Sequence, residues 1–155
     1  MEIFVDGDAC PVKGEVERIA ARHGLTVHIV SNSGMRPGVN PRVHNVIVAN
    51  GADAADDWIA LHICRGDIAI TADIPLAARC LENGARVLAP TGRAFTPDTI
   101  GTALAMRNLN RHLREVTGHE THHAGFGKRD RSQFLNALEN AIQALRRQTA
   151  KSPSS

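Results

Sequence analysis

The sequence predicts an α/β fold: a three-layer sandwich around a mainly parallel sheet of about five strands, with two helices added at the C-terminal end. Three observations lead there. Short apolar runs alternate with segments of helical period through the first two-thirds of the chain. Gly, Pro and Asn punctuate the joins between them. The helical segments between runs are long enough for right-handed crossovers, which parallel strands require.

Taken in order, Glu2–Val5 reads as a first strand running into Asp6-Gly7-Asp8. Pro11 stands where a helix's first turn tolerates it, and Val12, Val16, Ile19 and Ala20 keep helical spacing to His23. Gly24 stops that helix, and Leu25–Val30 is a second strand. The polar segment Ser31–Arg42 is a loop, and Val43–Ala49, with its run VIVA, is expected to be a buried strand. Ala52–Cys64 follows as a helix, then a strand at Asp67–Thr71 and a helix at Pro75–Asn83. Gly84 is the expected C-cap, and Arg86–Leu88 is the fifth strand. After Pro90-Thr91-Gly92 the pattern changes to a long helix from Thr96-Pro97-Asp98 to about Val116. A Gly/His-rich connection at Thr117–Lys128 leads to a closing amphipathic helix over Asp130–Thr149, whose Phe134, Leu135, Leu138, Ile142 and Leu145 share one face.

A chain of 155 residues with 43% hydrophobic and 22% charged residues suits one globular domain. With four Phe, one Trp and no Tyr, its core must rest on aliphatic side chains. No run approaches the roughly 18 apolar residues of a membrane span, and no secretory pattern opens the chain. Cys10, Cys64 and Cys80 form an odd set without a CxxC, which fits a reducing, cytoplasmic setting. The net charge of +2 conceals an asymmetry. Residues 1–106 hold nine Lys/Arg against twelve Asp/Glu, whereas 107–155 hold nine against four. An acidic body beside a basic arm suits a metal site next to a phosphate-binding surface; ordinary charged helix faces account for it as well.

The carboxylates carry the chemistry. Ligands of an open parallel sheet collect at the carboxyl ends of its strands. Three acidic groups are expected at that edge: Asp6 and Asp8 after the first strand, Asp53, Asp56 and Asp57 after VIVA, and Asp73 after DIAIT. Asp53 and Asp57, four apart on a helix, share a face, and Asp56 borders it. Gathering so many carboxylates costs several kcal/mol unless a cation sits among them. An all-oxygen set favours Mg²⁺ or Mn²⁺ over zinc, and hydrolysis of a phosphate ester is the reaction such a site serves. Any one of these residues read alone is a helix cap or turn, Asp56 and Asp73 most readily.

The stretches DGDACPVK, GADAADDWIA, DIAITADIPLAARCLENGARVLAP and GFGKRDRSQFLNALENAI, in that order, resemble the YaiI/YqxD family of uncharacterised bacterial proteins over roughly residues 2–145. More distantly, the strand-Asp, Asp-bearing helix and strand-T-x-D pattern is similar to PIN-like and NYN nucleases, which cut RNA with clustered acids and Mg²⁺ or Mn²⁺. That resemblance implies one PIN-like domain over 1–149, a βα core to 95 and C-terminal helices over 96–149, with 150–155 a tail. It matches Asp6 to the first-strand acid, Asp73 to the T-x-D acid and Asp53 or Asp57 to the acids of the intervening helix, whereas Asp8 is an extra acid beyond that pattern; the expectation is catalytic Asp6, Asp53, Asp57 and Asp73, with a metal held by these and Asp8. It also implies a nucleic-acid partner, most simply RNA.

Two other readings compete. The opening D-x-D mimics haloacid-dehalogenase-type phosphatases, with Asp6 as nucleophile. Lys13 is the only lysine before Lys128, however, and the spacing leaves little room for that group's other motifs. The second is a non-catalytic RNA-binding module. Arg107, Arg111 and Arg114 make a basic stripe, and Lys128, Arg129 and Arg131 crowd the next helix. Lys13 stands ready for a phosphate or for Asp8 or Glu17. Ser31-Asn32-Ser33 is a turn that faces the same edge, Cys10 a packed small residue, and His119, His122 and His123 an exposed loop cluster.

Overall fold

The computed structural model describes residues 1–7, 10–32, 41–48, 54–102, 104–106 and 127–151. The strands are β1 (Glu2–Asp6), β2 (Thr26–Ser31), β3 (Val43–Ile47), β4 (Ile68–Ile70), β5 (Arg86–Leu88) and β6 (Ala94–Phe95). The helices are α1 (Lys13–His23), α2 (Ala54–His62), α3 (Ile74–Glu82), α4 (helical residues 97–102 and 104–106) and α5 (Lys128–Lys151).

The six strands form one sheet in the order β3-β2-β1-β4-β5-β6, parallel except for the antiparallel β5–β6 pair. Period-two alternation sends side chains to two separate cores. On one face Ile3, Val5, Val27, Ile29, Ile68 and Ile70 pack with α1 and with Phe134, Leu138 and Ile142 of α5. On the other, Phe4, Val30, Ala69 and Val87 pack with Ile59 of α2 and with Leu76, Ala77 and Cys80 of α3. Burial on both faces is why the central strands read as unbroken apolar runs. The three-layer α/β sandwich expected from the sequence is present.

Three expectations are corrected. Among the described residues the sheet has six strands, because Ala94–Phe95 pairs back onto β5 after a tight turn. There Gly92 N–H donates to Ala89 O and Ala89 N–H to Arg93 O, both at 2.8 Å. Among the described residues no residue other than glycine has positive φ, so Thr91 does not, and the turn is of type I with Gly92 (φ +90°) as its left-handed bulge. Next, β3 is an edge strand of intermediate and exposed residues rather than a buried one, and its Ile47 is 62% exposed. An edge strand has a neighbour on one side only, which an apolar run cannot reveal. Finally, α3 is capped at its C-terminus by Asn83, with the left-handed Gly84 one position beyond.

Two fastenings hold the layers. Asp67, 6% exposed at the foot of β4, accepts Glu2 N–H at 3.0 Å and Cys64 N–H at 2.9 Å, tying β1 to the turn after α2. On the opposite face Glu139 of α5 receives Arg22 and, at 2.8 Å, His23 Nε2 of α1. Arg146 of α5 donates to His23 O at 2.9 Å, so the end of α1 is gripped twice. The His23 hydrogen bond, aided by those of Arg22 and Gln143, holds the Glu139 carboxyl below its ordinary pKa against the opposing cost of desolvation. A carboxylate depressed in the folded state stabilises the fold above its unfolded pKa, and loses that contribution as pH falls through the folded value. Melting of the protein from pH 6 to pH 3 is therefore expected to show a larger loss of Tm than melting of Glu139→Gln. The two curves should converge at the acid end; parallel curves would exclude this clamp.

Candidate acidic site at the sheet switch point

β1 passes to β2 through α1 on one face of the sheet, and β3 passes to β4 through α2 on the other. The crossovers therefore diverge between β1 and β4, and their carboxyl ends open a crevice there. Asp6 ends β1, Thr71 follows β4, and Asp73 opens α3.

A short hydrogen-bond chain joins them. The Thr71 hydroxyl, in a residue 2% exposed, donates to Asp6 Oδ2 at 3.1 Å. Its oxygen accepts Asp73 N–H at 3.0 Å. Asp73 Oδ1 then accepts Leu76 N–H at 3.0 Å, the N-cap bond of α3. Asp73 is thus the cap that its position suggests, and it also holds the second carboxylate of the crevice. Thr71 is the residue that sequence reasoning passed over. It served only as a spacing mark in T-x-D, and its burial and partners arise from pairing across 65 residues.

Gly7 allows β1 to end this way. A Cβ there would lie 2.8 Å from Ile29 Cγ2 and 3.1 Å from Val30 O, so the chain leaves Asp6 pressed against β2. Ser31, at the end of β2, is buried on that side. Cys10 lies just before α1, packed against the α1 core, and Lys13 is the first residue of that helix. Burial pushes the Cys10 thiol up. The Val12 backbone hydrogen bond and the Lys13 charge oppose the rise, while the Asp6 and Glu15 charges add to it. Asp6 and Lys13 therefore both lie within electrostatic reach of Cys10.

The other expected site residues are distributed differently. Asp57 accepts Arg79 Nη1 at 2.8 Å across the exposed α2–α3 surface, so its carboxylate is committed to a surface ion pair. Asp56 is half-buried beside α3, where its charge acts on Arg79 and Cys80. Burial pushes the Cys80 thiol up to about 12. Arg131 is spent on α1, donating to Pro11 O at 3.0 Å and Glu15 Oε1 at 2.9 Å. Asp8, Asp53, Ser33, Arg107, Arg111, Arg114, His119, His122 and His123 lie outside the described residues.

Among the described residues, no three His, Cys, Asp or Glu side chains are grouped to hold a metal ion. Asp6 and Asp73, which Thr71 links through the Asp6 carboxylate and the Asp73 backbone N–H, carry carboxylate oxygens, the donors that Mg²⁺ and Mn²⁺ prefer. Also among these residues, no helix is long and apolar enough to cross a membrane.

A family model described as uncharacterised, the YaiI/YqxD family, matches residues 4–144. The chain is 59% identical to a UPF0178 protein of Parvibaculum lavamentivorans over 146 residues, 94% of this chain and 96% of that one. It is 57% identical to a UPF0178 protein of Rhodospirillum rubrum over 148 residues, covering 95% and 99%. A UPF0178 protein of Mesorhizobium japonicum is 54% identical over 141 residues, 91% of each chain. No solved structure matches the chain.

Proposed function

The chain belongs to the uncharacterised YaiI/YqxD family, and from the site alone we propose that it is a divalent-metal-dependent phosphodiesterase acting on RNA. The observation that carries the reading is the Asp6–Thr71–Asp73 chain at the switch point. The Thr71 hydroxyl joins the Asp6 carboxylate, 65 residues away in sequence, to the backbone N–H of Asp73, and the Asp6 and Lys13 charges both reach Cys10. In this reading Asp6 and Asp73 hold Mg²⁺ or Mn²⁺, and Asp8 and Asp53 complete the oxygen set. Asp57 stays with Arg79. A bound divalent ion would supply charge neutralisation at the phosphate and a more acidic water.

This chain's own residues have simpler tasks. Thr71 fixes the orientation of Asp6 by donating to one of its oxygens. The capped α3 holds Asp73 at a helix N-terminus, where negative charge is favoured. Lys13 offers a cation to the non-bridging phosphate oxygens. The alternative, an RNA-binding module without catalysis, has lost Arg131 from its basic surface to Glu15 and Pro11.

The test uses end-labelled single-stranded RNA with the purified protein. Cleavage is expected in Mn²⁺ or Mg²⁺ and is expected to stop in EDTA. Cleavage that persists in EDTA, or RNA binding with no cleavage in either metal, would exclude the metal-dependent reading.

A further inference from the structure

Away from the crevice, the sheet carries a row of flat rings that the acidic site does not use. Phe4 of β1, His28 of β2 and His44 of β3 are register partners on the α2 face. Phe4 and His28 stack with ring centroids 4.8 Å apart and planes 22° from parallel. His28 and His44 stack at 5.3 Å and 20°. Trp58 of α2 tilts over the inner end, 6.1 Å from Phe4 and 5.9 Å from His28. Trp58 also stacks on His62 at 3.9 Å. Glu2 Oε1 lies 3.1 Å from His28 Nε2, on the inner part of the row.

The row opens outward. Phe4 is 2% exposed and the His28 side chain 19%, while His44 is exposed. Among the described residues β3 pairs only with β2, and none of their strands continues the row past His44. Its rings stand at about the 4.8 Å spacing of the strands, which is also an ordinary separation for stacked planar rings. The place beyond His44 therefore has the spacing and the flat, exposed neighbour of a stacking position.

We propose that His44 is a stacking platform for a base of single-stranded nucleic acid. Single strands are held in this way because every base has a π-face, whatever its hydrogen-bonding edge. The position relative to the crevice suits the same ligand. His44 lies two strands over from Asp6 and two residues back along the register, roughly 12 Å away by strand spacing. A strand whose phosphate lies at Asp6 can lay a nearby base on His44. The choice of nucleic acid rests on the phosphodiesterase reading; the ring row does not.

Fluorescence anisotropy in EDTA, where no cleavage intervenes, tests it with labelled oligo(A) RNA and a sugar-phosphate chain of equal length lacking bases. His44→Ala is expected to weaken oligo(A) binding roughly 5- to 150-fold and to leave binding of the baseless chain unchanged. His44→Phe, which keeps a ring without a charge, is expected to restore affinity, and His44→Lys is not. Unchanged affinity in His44→Ala, an equal loss on the baseless chain, rescue by Lys instead of Phe, or no oligo(A) binding by the parent protein would each overturn the proposal. Cleavage in Mn²⁺ reports on the acidic site separately. A protein that cleaves but ignores His44 refutes the platform alone. One that binds through His44 but never cleaves refutes the catalytic reading alone.

Discussion

Asp6→Asn is expected to abolish Mn²⁺-supported RNA cleavage while leaving the fold intact. The substitution keeps the size of the side chain and an oxygen to accept from Thr71. It removes the charge that a hard divalent cation needs from its ligand. Loss of an outer partner of a metal ligand typically lowers affinity or activity 10- to 100-fold, and loss of the ligand should exceed that. Thr71→Val provides the comparison. It removes the hydroxyl that orients Asp6 and satisfies Asp73 N–H, so a fall of about 10- to 100-fold is expected, with the apparent Mn²⁺ requirement moved to higher concentration. Manganese titrations of cleavage for the three proteins separate these roles. An Asp6→Asn enzyme with the activity and metal dependence of the parent would remove Asp6 from the chemistry. A Thr71→Val enzyme with lower activity but the same Mn²⁺ requirement would make Thr71 a merely structural residue.

Gly92→Ala is expected to be the most damaging glycine-to-alanine change among the described residues. Gly92 combines a φ of +90° with close approach to α5. A Cβ there would sit 2.8 Å from the carbonyl carbon and oxygen of Gln133 and 3.0 Å from Phe134 N. These are helix backbone atoms, so no side chain can turn aside to make room. Left-handed strain of about 1–3 kcal/mol and overpacking of similar size sum to roughly 2–6 kcal/mol. For a chain of this length that is a fall in Tm of about 4–24 °C. Gly14→Ala, at a position where a Cβ meets nothing within 4 Å, is the control and should melt at or above the parent temperature. Equal melting of the Gly92→Ala and parent proteins would show that the β5–β6 turn does not abut α5.

Much of this was legible in the sequence because the signals were local. The bounds of β5 are those its apolar run suggests, and α1 ends at the His23-Gly24 junction that a left-handed stop requires. β6 was not legible, since two residues carry no period and only pairing with β5 defines them. VIVA looked buried because an apolar run reports hydrophobicity and not strand order. Asp57 illustrates the same limit at the site. Helical spacing relates it to Asp53, which lies outside the described residues, but Arg79, 22 residues later, decides what its carboxylate meets. Asp73 was readable as a cap and as an acid, and it proves to be a cap at the crevice. Thr71 and His44 acquire their roles only from neighbouring strands.

The span of the hydrogen bond between Thr71 and Asp6 also has a consequence during synthesis. β1, β2 and β3 are contiguous in the first 47 residues and pair with one another. The crevice, by contrast, lacks its second wall until β4 and the start of α3 have left the ribosome. The layer that closes the other face comes later still, because Arg131 reaches back 120 residues to Pro11. A nascent chain therefore displays the ring row well before it possesses the acidic pair. Any capacity to cut RNA would arise only after those later elements have left the ribosome and packed onto the first three strands.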